Sequence, residues 1–308
     1  MRFALIGRTE WLYESGLALV EAGHEPVLVV SCKEAPEYKV TVDDFAALAE
    51  RWGVPFVRTV RPEKIVEALE TLDDEVPVAL SINFSGVLPA SVIDRFPLGL
   101  LNVHVGDLPR YRGNACAAWA ILMGEPHVGL CVHKMIGGEL DSGDIVGYDQ
   151  HPVDITTKIT QVNDWMERRI PGLVTDAVNE LVQDPHFVIR SQSKNPVDAL
   201  RCYPRKPEDG RIDWREEATH IIRLVNASNR PYAGAFCMLE HQEVRVWHAE
   251  QVNDGERFLA VPGQVTAITD DYIDIAAGAG KVRISQLEFD GSPIAPRTLV
   301  TSMRARFC

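Results

Sequence analysis

The sequence predicts an α/β fold: a sheet of largely parallel strands wound with helices, followed by a smaller β-rich domain. Three observations predict it. Short apolar runs alternate with helix-spaced segments through the first half, a long amphipathic stretch closes at Leu181, and short alternating runs between turn residues take over after residue 200.

Taken in order, Phe3-Ala4-Leu5-Ile6 is a buried-strand run that stops at Gly7. Leu17 to Val20 lies in a helix closed by Gly23, and Pro26 to Val30 is a second strand rich in β-branched residues. Val42 to Trp52 has helical spacing through Phe45, Leu48 and Trp52. Val76 to Ile82 and Leu100 to Val103 supply further strands. Ligands of such sheets gather at the carboxyl ends of the strands. Gly7 is followed by Arg8-Thr9-Glu10-Trp11 and not by G-x-G-x-x-G, so a dinucleotide site lacks its main sequence support. From Ile159 to Leu181 apolar residues step three or four apart, which predicts a long helix kinked at Pro171. Beyond it, Tyr203 to Gly210 is turn-rich and Ala218 to Ala227 is helix-like. Val244 to Trp247, Tyr272 to Ile275 and Val282 to Ile284 read as strands of a partly open barrel. The expected domains are residues 1–200 and 201–308.

Composition narrows the class. The 308 residues are 46% hydrophobic, enough for a sizeable core, which excludes disorder as the main description. Basic residues number 31 against 44 acidic, a net charge of −13 that repels phosphate backbones and argues against a general nucleic-acid binder. No apolar run approaches the ~20 residues that span a bilayer. The stretch Met1 to Gly7 is too short for a signal peptide and runs directly into strand-like sequence, so none is expected. Cys32, Cys116, Cys131, Cys202, Cys237 and Cys308 form no C-x-x-C pair, so reduced thiols are expected and neither a zinc site nor a redox motif is indicated. The expectation is a cytoplasmic protein with no metal and no membrane partner.

The densest polar cluster begins at Asn102-Val103-His104, where alternation points Asn102 and His104 to one face. Gly106 to Gly113 follows, then a helix with Asn114 as its expected N-cap and Gly124 as its stop. Further on, Gly137-Gly138-Glu139-Leu140-Asp141-Ser142-Gly143-Asp144 forms an acidic loop between two strand candidates. A histidine titrates near neutrality and can move a proton, and an asparagine can steady a developing oxyanion without changing the proton count. A carboxylate from the acidic loop can orient the imidazole. Together the three suit attack by an amine on an acyl carbon, with no serine or cysteine nucleophile. Taken singly, each residue is equally a turn former, a core histidine or a surface charge, and spacing alone leaves the function open.

The assembled string NVHVGDLPRYRG, followed by GELDSGDI, closely resembles the folate-dependent formyltransferase family. Asp209 to Trp214 and Pro231 to Phe236 extend the resemblance into the C-terminal domain shared by methionyl-tRNA and sugar-nucleotide formyltransferases. The resemblance implies a Rossmann-like catalytic domain with a small OB-like β domain, and 10-formyltetrahydrofolate as formyl donor. It implies Asn102, His104 and Asp141 as the catalytic residues. It places the pterin against Phe84, Gly86 and Leu88 and against Gly138, Glu139 and Leu140. Gly106-Asp107 departs from the family's usual Ser-Leu.

Two further readings concern the acceptor. The initiator-tRNA enzymes carry a basic insertion after the second strand, whereas residues 31–50 here hold two basic and five acidic residues, a net of −3. The form Pro-Tyr-Ala-Gly-Ala-Phe resembles amino-sugar formyltransferases, so the expected acceptor is a nucleotide-linked amino deoxy sugar for surface polysaccharide. Arg8, Arg110, Arg112 and Asn114 are then the candidates for its diphosphate. A small amino-acid amine such as hydroxyornithine, methionyl-tRNA, and a folate-binding protein with an inactive site are the rivals. A homodimer is expected by analogy only.

Overall fold

A computed structural model describes residues 1–36 and 38–308; Glu37, one of the five acidic residues counted above, lies outside the described residues. In chain order the elements of the first half are β1 (Arg2–Gly7), α1 (Glu10–Glu21), β2 (Glu25–Ser31), α2 (Val42–Trp52), β3 (Phe56–Arg58), α3 (Pro62–Glu70), β4 (Val78–Ile82), α4 (Ala90–Ile93), β5 (Gly99–His104) and β6 (Arg112–Gly113). Then come α5 (Cys116–Met123), β7 (His127–Lys134), β8 (Ile145–Pro152), α6 (Ile159–Gln183) and β9 (Arg201–Cys202). The remainder holds α7 (Ala218–Ala227), β10 (Ala235–Leu239), β11 (Gln242–Gln251), β12 (Val265–Ile268), β13 (Ile273–Ala276), β14 (Lys281–Phe289), β15 (Ser292–Ile294) and α8 (Pro296–Leu299). They gather in two compact units. One comprises residues 1–113, 129–150 and 164–202; the other comprises 114–128, 151–163 and 203–308.

The first unit is built on a seven-stranded sheet in the order β3-β2-β1-β4-β5-β7-β8. Strands β3 to β5 in that order run parallel, the Rossmann-like arrangement. β7 returns antiparallel against β5, so the sheet is mixed at this side. The register sets Asn102 opposite His133 and His104 opposite Cys131. Local sequence explains the helices. At α2, Thr41 and Asp44 form a reciprocal capping box, Phe45 and Leu48 are buried, and Gly53 ends the helix in the left-handed region. β3 and α3 escape sequence reading because β3 is three residues long and α3 buries only Ile65. α6 runs through Pro171 as one 25-residue element, so the proline does not divide it. Ile170 and Val174 on either side are buried. The expected N-cap of α5 shifts by one residue: Ala115, in the left-handed region at φ 55°, occupies that position with no side-chain cap, and Asn114 lies a residue too early. Gly124 does close this helix, at φ 71°.

The second unit is an antiparallel sheet in the order β10-β11-β14-β13-β12, with β15 on β14. The C-terminal residues bridge its two ends, Phe307 pairing with Leu239 of β10 and Arg306 with Gln264 beside β12. This makes a partly open barrel. Its core gathers Trp214, Val225, Val246, Ile275, Ile284 and Phe307. Among the described residues no helix is long and apolar enough to cross a membrane.

Candidate active site

The site forms where β5 ends. Asn102 and His104 share a face of that strand, and the antiparallel register adds His133 from β7 to the same face. The loop between β7 and β8 then delivers Asp141, whose backbone holds the left-handed conformation at φ 46°. Its carboxylate sits between two imidazoles. Oδ2 lies 3.5 Å from Nδ1 of His104, and Oδ1 lies 3.5 Å from Nε2 of His133. The Gly113 N–H donates to Oδ2 at 2.9 Å.

Hydrogen bonds fix the roles of the ring nitrogens. His104 Nε2 lies 2.6 Å from the Tyr111 carbonyl, which can only accept, so neutral His104 carries its proton there and presents an unprotonated Nδ1 toward Asp141. His133 Nδ1 lies 3.1 Å from the Lys134 carbonyl and donates to it, leaving Nε2 to accept from Nδ2 of Asn102 at 3.1 Å. One N–H of the Asn102 amide is thus used and the other remains available to a second acceptor. Burial pulls the His104 imidazole below its ordinary value, and the Asp141 carboxylate offsets part of that shift. Burial alone would raise the Asp141 carboxyl, but the two imidazoles and the Gly113 N–H hold it down to about 2. Cys131, opposite His104, is pushed up to about 12 by burial and stays a neutral filler that donates to the Gly106 carbonyl at 3.2 Å.

The loop that carries the Tyr111 carbonyl is tightly packed. A Cβ at Gly106 would fall 2.3 Å from that carbonyl oxygen and 2.6 Å from His104 Nε2. Asp107 accepts from the Tyr148 hydroxyl at 3.0 Å and faces Arg190 at 4.0 Å, tying the loop to β8. The departure from Ser-Leu therefore has a structural use on both residues.

The predicted donor residues fall on two loops that meet. Gly137 backs onto Ala90, where an added Cβ would approach the Ala90 Cβ to 2.6 Å. This sets the 137–144 loop against the start of α4, directly after the 83–89 segment. Leu88 is buried in the sheet's core cluster and Phe84 packs against it, so these two offer backbone to a ligand more than side chain. Gly138, Glu139 and Leu140 are exposed. The diphosphate candidates have partners within the protein. Arg8 donates to the carbonyls of Asn83 at 3.0 Å and Lys33 at 2.7 Å and stacks on Tyr38. Arg112 donates to Gln192 at 2.9 Å, and Arg110 lies over the Tyr111 ring. Asn114 belongs to the second unit. His133 is the site residue that sequence reasoning missed. Its signal was the every-second-residue spacing within β7, which is readable only once the register against β5 is known.

A Rossmann-like sheet that carries an imidazole, a carboxylate and an amide together at a strand end defines the class as an α/β protein with a polar site at the carboxyl edge of its sheet. The chain belongs to the formyl transferase family: residues 1–175 match the model described as formyl transferase, and residues 205–303 match its C-terminal domain. A methionyl-tRNA formyltransferase of Citrifermentans bemidjiense is 28% identical over 304 residues, covering 96% of this chain and 91% of the relative. An N-formyltransferase from Helicobacter canadensis, solved with folinic acid and dTDP-3-aminofucose, shares the fold at a TM-score of 0.68 and 14% identity, covering 93% of this chain and 99% of that one. HypX from Aquifex aeolicus, solved with tetrahydrofolic acid, matches at a TM-score of 0.62 and 19% identity over 98% of this chain, which spans about half of HypX (47%).

Proposed function

We propose that this chain transfers a formyl group from 10-formyltetrahydrofolate to the primary amine of a nucleotide-linked amino deoxy sugar. The donor supplies an electrophilic formyl carbon and, once the group has left, a nitrogen that needs a proton. The donor lies against residues 83–89 and 137–144, which come together where Gly137 backs onto Ala90, and is held through backbone groups beside Asp141. Unprotonated Nδ1 of His104 takes the proton of the attacking amine and returns one to the departing nitrogen. Asp141 steadies the imidazolium in between. The second N–H of Asn102 faces the formyl oxygen as it gains charge, while His133 keeps the amide turned that way.

The loop after β2 carries the choice of acceptor. Of its two lysines, Lys39 is paired with Glu167 at 2.8 Å, and Glu34 accepts from the Val42 N–H at 3.1 Å. Residues 31–50, which take in this loop and most of α2, carry a net charge of −3, the wrong sign for an RNA backbone. Methionyl-tRNA is the second reading, favoured by the names of the sequence relatives. The test measures tetrahydrofolate release with a panel of amino-sugar nucleotides and, in parallel, with charged initiator tRNA, checking formylated product by mass. Turnover with a sugar nucleotide alone supports the proposal; turnover with tRNA alone overturns the acceptor while leaving the proton chemistry intact.

A further inference from the structure

Gln192 follows α6 in the chain, and the proton transfers above do not use it. Its side chain is buried and fully engaged. Nε2 donates to the carbonyls of Asp141 at 2.9 Å and Gly143 at 2.7 Å, and Oε1 accepts from Arg112 at 2.9 Å. The segment that presents it is itself anchored on the start of β8: the Ile145 N–H donates to the Arg190 carbonyl at 2.9 Å, and the Ile189 N–H to the Ile145 carbonyl at 2.8 Å. Arg112 is fixed in turn, because β6 pairs with β9. One amide therefore ties three stretches of chain together directly behind the carboxylate of Asp141. That residue sits in a backbone region that L residues avoid, so the loop needs external restraint to keep it there. A water cannot reproduce this restraint, since it lacks a covalent anchor to the 189–192 segment.

We propose that Gln192 is a positioning residue that holds the Asp141 carboxylate against His104, with Arg112 as its brace. The proposal rests on the Asp141–His104 pairing of the preceding reading. Two full-length variants test it. Gln192→Met removes both donors at nearly constant volume. Gln192→Glu keeps shape and the acceptor toward Arg112 while replacing the donors, and it carries the test where Gln192→Met fails to fold. In each, kcat falls about 10- to 100-fold, because displacements near 1 Å cost that much in an oriented site. The KM for the acceptor stays within about threefold, since the interaction serves the reacting groups and not uniform binding.

A second readout needs no turnover. In Gln192→Met, which adds no charge, imidazole titration by NMR moves His104 to lower pH, because its carboxylate partner has drifted away. Wild-type kcat with an unmoved His104 titration overturns the proposal. So does a loss of activity that only tracks the folded fraction seen by circular dichroism. If wild type transfers no formyl group yet the titration moves in Gln192→Met, the positioning role stands and the formyl-transfer reading fails.

Discussion

Asp141 in the first unit and Asp274 in the second are both largely withdrawn from water, and they are matched in opposite ways. Asp274 faces Arg283 directly across the β13–β14 ladder and receives a two-bond fork at 2.8 and 3.0 Å. The same guanidinium packs on the Tyr272 ring at 3.5 Å. Each oxygen of the carboxylate is thus matched to its own guanidinium N–H. Asp141 instead faces two imidazoles at 3.5 Å each, with a single short bond from a backbone N–H. The tight fork holds a barrel in register. The loose cluster keeps a carboxylate charged beside a nitrogen that can gain and lose a proton. A buried polar group marks chemistry when its partners are near but incompletely matched, and marks structure when they are saturated.

The largest effect that would break this contrast is expected at His104. His104→Asn lowers kcat about 1,000-fold, and Asp141→Asn about 100-fold, while both stay folded by circular dichroism. A His104→Asn enzyme at near wild-type rate would remove the base from the mechanism. Asp274→Ala is the counterpart: it leaves the kcat of folded enzyme unchanged but destabilises the chain by about 3 kcal/mol in urea, because it strands the partner charge. An Asp274→Ala variant that lost kcat without losing stability would erase the distinction between the two carboxylates.

Gly106→Ala sharpens the comparison. The added methyl meets both the Tyr111 carbonyl and His104 Nε2, so the bond that sets the tautomer must lengthen; kcat of the folded enzyme is expected to fall about 10-fold, and the melting temperature drops as well because the clash is with backbone. Unchanged kcat would show that the Tyr111 contact does not set the reactive nitrogen. The smallest effect is in the pH profile. With His104 lowered, its neutral form is complete at neutral pH, so kcat is flat there and falls on an acid limb below the ordinary histidine value of about 6.5. Stability carries the same sign. The unfolded chain binds the His104 proton first, so stability begins to fall as pH drops below about 6.5. The share from Asp141, full above the ordinary carboxyl value near 3.9, is lost as pH approaches about 2. A bell-shaped kcat profile centred below 6 would overturn that assignment of the base.

Much of this was legible in the residues. α2 and α7 span Val42–Trp52 and Ala218–Ala227, as their apolar spacing predicts. The acidic loop does lie between two strands, and it brings Asp141 to the end of β5 beside Asn102 and His104. Other contacts were illegible for a physical reason. His133 meets Asn102 only through the antiparallel register of β7 on β5, and one residue of slip would turn it to the other face. Gln192 reaches Asp141 from 51 positions away, which no local periodicity encodes. The partners of Arg8 and Arg112 were equally illegible, because a charge has no address in sequence; in the fold their hydrogen bonds go to carbonyls and to Gln192.

By itself, then, the sequence determined most of the elements and the family, and it marked Asn102, His104 and Asp141 as candidates, because these rest on hydrophobic periodicity, turn residues and short motifs. Tertiary structure alone decided which nitrogen of His104 faces Asp141, which partner turns Asn102 and what restrains the acidic loop. Those outcomes depend on distances set by strand register and long-range packing, where a shift of one residue or one ångström replaces one hydrogen-bond partner with another.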